Sequence, residues 1–286
     1  MATLQDIRRR ITSVQKTQQI TRAMRMVAAA KLRRAQEAIQ AARPYAERMR
    51  SVLEEVAGGQ PDAEHPLLTP HDEIRKLEIV VISSDRGLCG AFNSNVLKHT
   101  QALIDARKGE VDSIVFTAVG RKANEYLRRR RYEIRKAVTG LGTIHYGHAT
   151  AIAADLAERY ESGEVDEVVL VYSEFVSTIT QRPLDARLLP FTPAEAPEGE
   201  PKPPFEVEPD AAQLLGVLVP KAVEVEVFRA LLENQSGEHA ARMASMESAT
   251  RNTEEMIDSL TLTYNRVRQA AITKELVEIV SGAEAL

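Results

Sequence analysis

Between residues 4 and 56, apolar positions recur at alternating steps of three and four: Leu4, Ile7, Ile11, Val14, Gln18, Thr21, Arg25, Ala28, Leu32, Ala35, Ile39, Ala42, Ala46, Met49, Leu53 and Val56. Thirteen of these sixteen positions are apolar, and the polar lapse at Gln18, Thr21 and Arg25 is local. A repeat of this length predicts one helix whose seam packs in a coiled coil. Pro44 removes a helical hydrogen bond and predicts a kink that leaves the pattern running.

The far end of the chain repeats the theme. From about 210 to 281 the composition favours helix, with seam candidates Val225, Phe228, Leu232, Met243, Met246, Thr253, Ile257, Leu260, Tyr264, Val267 and Ala271. Gly216 and Pro220 predict a kink or break near its start, and Gly237 is a weaker point further on. Two long helices with unfinished seams at opposite ends of one chain pack most simply on each other, antiparallel. The many alanines then make sense, because small seam residues let two helices approach closely.

Between the arms the period changes to that of strands. KLEIVVISSD, VDSIVFTAVG, YEIRKAVTG and DEVVLVYSEF alternate with helical stretches near 94–107, 121–130 and 149–161, and PLDARLLPF follows as a candidate edge strand. This alternation predicts a mostly parallel, Rossmann-like α/β sheet. The expected organisation is a first coiled-coil helix over 1–58, an α/β domain over 74–192, a Pro-rich link over 193–209 and a second coiled-coil helix over 210–286. A Gly/Pro-rich stretch, GGQPDAEHPLLTPHDE, joins the first helix to the sheet.

Charge sharpens this picture more than bulk composition does. The 286 residues carry a net charge of −4 and 44% hydrophobic side chains, enough for a sizeable core. Yet residues 1–50 hold twelve Lys or Arg against three acids, so this segment is +9 and the remainder −13. Such asymmetry points to an acidic partner for the first helix. The lone Cys89 excludes an internal disulfide and fits a reducing compartment. No apolar run has the length of a membrane span, and MATLQDIRRR lacks a signal-peptide core.

Candidate chemistry is thin. SSDRGLCGAFNSN (83–95) follows the first strand where a phosphate loop would sit. It lacks both the third glycine of a dinucleotide fingerprint and the Gly-Lys-Ser/Thr of a P-loop, and it reads better as a structural or contact loop. His145 and His148 form an HxxH in an expected loop setting, with no second pair of metal ligands. No carboxylate pair or triad stands out, so neither a cofactor nor a catalytic residue is expected. Two alternatives remain: a nucleotide-binding α/β protein, and a basic-helix DNA-binding protein. In the latter the basic region would precede the heptads, whereas here the two coincide.

Five stretches together resemble the γ-subunit family of bacterial F-type ATP synthases. They are 7–36 (IRRRITSVQKTQQITRAMRMVAAAKLRRAQ), 43–49 (RPYAERM), 83–93 (SSDRGLCGAFN), 233–252 (ENQSGEHAARMASMESATRN) and 261–286 (TLTYNRVRQAAITKELVEIVSGAEAL). The resemblance spans the chain and implies a non-catalytic rotor shaft that couples turning of a c-ring to ATP synthesis or hydrolysis on β subunits. It implies contacts with the αβ ring at Met24, Arg25, Cys89, Arg242, Arg268, Gln269 and Thr273, and with the ε subunit and c-ring at Phe205, Glu206 and Glu208. The last residues, near 276–286, would sit in an apolar bearing of the α and β subunits. No nucleic acid is implied. Membrane attachment would come only through partner subunits, at the cytoplasmic face of the inner membrane. Chloroplast-type thiol control needs two cysteines and is not expected of a chain with Cys89 alone.

Overall fold

The computed structural model describes residues 3–59, 65–192 and 211–284. Its elements run α1 (Leu4–Gly59), β1 (Lys76–Ile82), α2 (Phe92–Arg107), β2 (Ser113–Val119), α3 (Arg121–Arg129), β3 (Ile134–Val138), α4 (Tyr146–Glu161), β4 (Glu167–Phe175), β5 (Gln181–Leu189) and α5 (Ala211–Glu284). By internal contact the chain divides into two compact units. One combines segments 1–29 and 242–286, and the other is 30–241.

Helix α1 begins on a reciprocal cap. The Asp6 amide donates to Thr3 Oγ1 at 3.2 Å, and the Thr3 amide donates to the Asp6 carboxylate at 3.1 Å. Bonds from the Thr3 side chain and backbone hold the Asp6 pKa below the ordinary aspartate value. The helix then continues through Pro44, as the seam predicts. Every seam position from Leu4 to Leu53 is buried or half-buried.

In the 30–241 unit the strand order is β3-β2-β1-β4-β5. The first four strands are parallel, and β5 returns antiparallel to β4 at the edge. An edge is where Pro183 is tolerated, since a proline cannot donate to a central ladder. The strands β1 and β4 are nearly continuous apolar runs because both sheet faces are covered. Side chains alternate between the faces: Leu77, Ile79 and Val81 pack under α2 and α3, while Val80 and Ile82 join α4 and the local segments of α1 and α5. Glu78 shares the second face and is fully buried. It accepts bonds from Arg135 (2.9 Å), Arg159 (3.0 Å) and Thr117 (2.6 Å), which satisfy a carboxylate that would otherwise be costly to bury.

Two local expectations change. Helix α5 passes through Gly216 and Pro220 without a break. Leu215, Val219 and Val223 on either side are locked in the core, and that packing outweighs a proline's cost of about 3 kcal/mol. Helix α4 begins earlier than 149 and takes in the HxxH. His145 is its N-cap residue, and His148 Nδ1 accepts the His145 amide at 3.2 Å, so the pair builds a helix start. No helix among the described residues is long and apolar enough to cross a membrane.

Candidate functional site

The unit formed by 1–29 and 242–286 is a pair of helical segments whose cross-links fix direction and register. Gln18 Nε2 donates to Glu254 Oε1 at 3.2 Å, the Thr21 and Thr250 hydroxyls meet at 2.9 Å, and Arg25 Nη1 reaches Glu247 Oε2 at 2.6 Å. Seven residues forward on one helix correspond to seven backward on the other, which is antiparallel pairing with a heptad step. The three polar seam positions of α1 therefore meet polar residues on α5. Elsewhere the seam is apolar, from Leu4, Ile7, Ile11 and Val14 to Met246, Ile257, Leu260, Tyr264 and Val267, all at least half-buried.

The outer surface of this pair is not uniformly polar. Ile20, Met26 and Val27 lie off the seam and are exposed. These three give the basic helix large apolar side chains outside its seam. Past Ala271 the seam ends. Every residue from Ile272 to Ser281 is exposed, including Ile272, Leu276, Val277, Ile279 and Val280. Successive helical positions turn by about 100°, so these five form a broad apolar stripe.

The residues singled out from the sequence fall in several places. Met24 and Arg25 are half-buried at the polar layer, and Arg25 is engaged by Glu247. Arg242 is half-buried as well. Arg268, Gln269 and Thr273 are exposed, and the Thr273 hydroxyl donates to the Gln269 carbonyl at 3.0 Å. The register sets Arg268 level with Leu4, roughly 30 Å along the helix from Arg25, so the pair does not bring these two groups together. Phe205, Glu206 and Glu208 lie outside the described residues.

Loop 83–91, in the other unit, is a joint. Ser84 and Asn93 are bound through both backbone and side chain, with the Ser84 amide donating to Asn93 Oδ1 (3.1 Å) and Asn93 Nδ2 and Oδ1 both within hydrogen-bond distance of Ser84 Oγ (2.8 and 3.0 Å). Asn93 Nδ2 also lies 3.2 Å from Cys89 Sγ, and Cys89 is only 1% exposed. Its sulfur faces inward, so any contact surface here belongs to neighbours such as Leu88, which is 63% exposed at φ 63°. A leucine in the left-handed region is strained and persists only where surroundings over-determine it. Sequence reasoning missed Leu88, because pattern alone does not reveal φ.

The same loop also ties down the N-terminus of the neighbouring helix α3. Asp85 accepts the backbone amides of Arg121 (3.0 Å) and Gly140 (2.9 Å), and Ser83 Oγ accepts the amide of Ala123 (2.8 Å). The Arg121 and Ala123 amides lie at the start of α3, where an anion would look for donors, and Asp85 and Ser83 already occupy them. Gly120, at φ 93°, lies so close to the Ser83 carbonyl that a Cβ would stand 2.3 Å from its oxygen. The crevice behind holds about 50 Å³ and is lined by Asp85 and Glu238, a poor fit for a nucleotide. Helix α5 closes the joint: Gln235 Nε2 donates to the Gly142 carbonyl at 2.7 Å, and Gly237 packs against Phe92 and Gln181.

Comparison with known proteins agrees across the whole chain. A family model described as ATP synthase matches residues 3–286. An ATP synthase gamma chain from Anaeromyxobacter sp. (strain Fw109-5) is 52% identical over 100% of both chains. One from Syntrophobacter fumaroxidans is 48% identical over 100% of this chain and 99% of its own. Among solved structures, the Euglena gracilis mitochondrial ATP synthase rotor has a similar fold, with TM-score 0.64 and 19% identity, covering 94% of this chain and 98% of that one. A chain of the Tetrahymena thermophila mitochondrial ATP synthase central stalk/c-ring gives TM-score 0.60 and 23% identity, covering 80% and 99%.

Proposed function

Because the chain belongs to the ATP synthase gamma chain family, we propose that it is the central rotor shaft of a bacterial F-type ATP synthase and carries no catalytic residue of its own. The observation that carries this reading is the antiparallel pairing of the two chain ends, followed by an α5 end with no cover among the described residues. A single helix continuing past its partner as an apolar stripe is suited to turn inside a sleeve of α and β subunits. The basic outer face of α1 supplies attraction to acidic loops of those subunits, and attraction of this kind centres a shaft without interlocking it.

Coupling then follows from asymmetry. Two different helices side by side present a different face to each of three equivalent catalytic sites. The shaft biases a site only to the extent that it binds that site's conformations unequally, so rotation becomes a population shift imposed mechanically. Met24, Arg25, Arg242, Arg268, Gln269 and Thr273 are proposed contacts with the αβ ring. In loop 83–91 exposed Leu88 carries the contact, with buried Cys89 holding the loop's shape. The α/β unit, with Phe205, Glu206 and Glu208, would face ε and the c-ring, and through them the chain would be held peripherally at the inner face of the membrane.

The test is reconstitution. Assembled with α and β subunits and labelled with a bead on the α/β unit, the chain should rotate in one direction on ATP. Deleting residues 272–286 should weaken assembly with the ring while leaving the α/β unit folded. An assembled complex that hydrolyses ATP around a stationary chain would sink the reading.

A further inference from the structure

Several arginines in the α/β unit are given a carboxylate. Arg107 pairs with Glu167, Arg135 with Glu78 and Asp155, Arg159 with Glu78 and Glu164, Arg182 with Glu174, and Arg229 with Glu226 and Glu233. At one place four arginines stand together without one. Arg128, Arg129, Arg130 and Arg131 follow one another at the end of α3, all exposed, and no carboxylate among the described residues forms an ion pair with any of them. Glu125, the nearest acid on the helix, is bonded instead to Lys122 at 2.7 Å.

What holds these arginines is neutral. Arg128 Nε donates to Asn124 Oδ1 at 3.1 Å, and Arg130 donates to Gln101 Oε1 at 2.8 Å while its guanidinium lies 4.7 Å over the Tyr126 ring. Such partners orient a guanidinium without cancelling its charge. One or two cations would complement the helix dipole here, and four exceed that need. Arg131 takes φ 60°, so the chain leaves the helix and the last side chain fans away from the others.

We propose that this run is an electrostatic contact for the phosphodiester headgroups of an anionic lipid surface, an inference that rests on the rotor reading above. Three observations favour lipid over other anions. Arg128 and Arg129 lie on successive helical positions about 100° apart, Arg130 caps the helix and Arg131 lies beyond it in the left-handed region, so the four start from differently directed backbone positions and suit many anions better than one phosphate. The exposed large apolar side chains of this unit lie elsewhere, at Leu88, Val176 and Ile179 among others, so the run lacks the apolar anchor of a protein interface. The run also sits where β3 begins, on the face of α2 and α3, at the opposite end of the sheet from the joint with Gly237. A fluid lipid surface attracts the turning body at every angle and offers no fixed angular position in which to trap it.

The test uses the full-length chain, alone and assembled with α, β and ε subunits, and vesicles of phosphatidylcholine with or without one third phosphatidylglycerol. At low salt the assembled chain should co-sediment with the anionic vesicles and not the neutral ones. R128Q/R129Q/R130Q/R131Q should bind at least about a hundredfold more weakly, and R129Q/R131Q at least about tenfold, each charge contributing to the partition. Binding should fade as added salt shortens the screening length. An unchanged thermal midpoint in both variants separates lost binding from lost fold. Equal binding by wild type and the fourfold variant overturns the proposal. So does displacement by inorganic phosphate beyond that of chloride at matched ionic strength, which would make the ligand a free anion. Failure to assemble with α and β would count against the rotor reading alone, because vesicle binding by the free chain is read separately.

Discussion

Helix α5 is one element with two ways of being specified. From Ala222 to Ala240 no residue is exposed, and even Asn234, Ser236 and His239 are buried. From Met243 to Ala271 a narrow seam is covered, and from Ile272 to Ser281 nothing is. Neither stretch is a plain amphipathic helix against a core. The first is fixed by its own chain on every side. The last is covered by nothing among the described residues, and its run of Ile, Leu and Val is left exposed.

Truncation tests this contrast most severely. Leu231→Ala in the fully packed stretch should cost about 3 kcal/mol in urea unfolding, from lost burial and a residual cavity. Leu276→Ala in the bare stretch should change the free chain by less than about 0.5 kcal/mol. Comparable losses at the two positions would erase the distinction.

A pH series sharpens it. Burial pushes the Glu233 carboxyl above its ordinary value, and the charge of Arg229 only partly offsets this. The folded state therefore holds a proton that the unfolded state has released. Glu233 thus withdraws stability as pH rises from the ordinary glutamate value through its raised one. Relative to wild type, Glu233→Gln should gain stability between pH 4 and pH 7, read from urea midpoints. A difference that stays flat across this window would show that the α5 environment there is wetter than its burial indicates. Asp155 runs the other way. Burial opposes its charged form, but Arg135 and Lys136 outweigh that and lower its pKa. Its stabilising contribution is present above the ordinary aspartate value and fades below about pH 4, so Asp155→Asn should flatten the acid limb.

The smallest effect belongs to the coil. Arg25 and Glu247 pair while both are substantially exposed, so a double-mutant cycle to glutamine should give a coupling below about 1 kcal/mol. A much larger coupling would mean that the pair is shielded and does more than set register.

The seam of α1 and the alternation of strands and helices were legible in the sequence because each is a one-dimensional period. The antiparallel pairing of the two seams was legible too, but its register was not, because the meeting of Thr21 with Thr250 depends on two segments 229 residues apart. The loop setting expected for the HxxH was wrong for a local reason: His148 Nδ1 accepts the His145 amide and starts a helix there, which spacing alone does not reveal. Pro220 looked like a break because propensity is additive along a window, whereas burial of Leu215, Val219 and Val223 is not. Cys89 stood out as a singular residue, yet it is buried and its neighbour Leu88 is the exposed one.

The hydrogen bond between Gln18 and Glu254 spans 236 residues. On a ribosome adding about 5–20 residues per second, the amino-terminal arm waits on the order of ten to fifty seconds before its mate emerges. For that interval an unpaired, strongly cationic helix must stay soluble in the crowded cell. Its charge, whatever it later does, keeps nascent copies of the arm from sticking to one another.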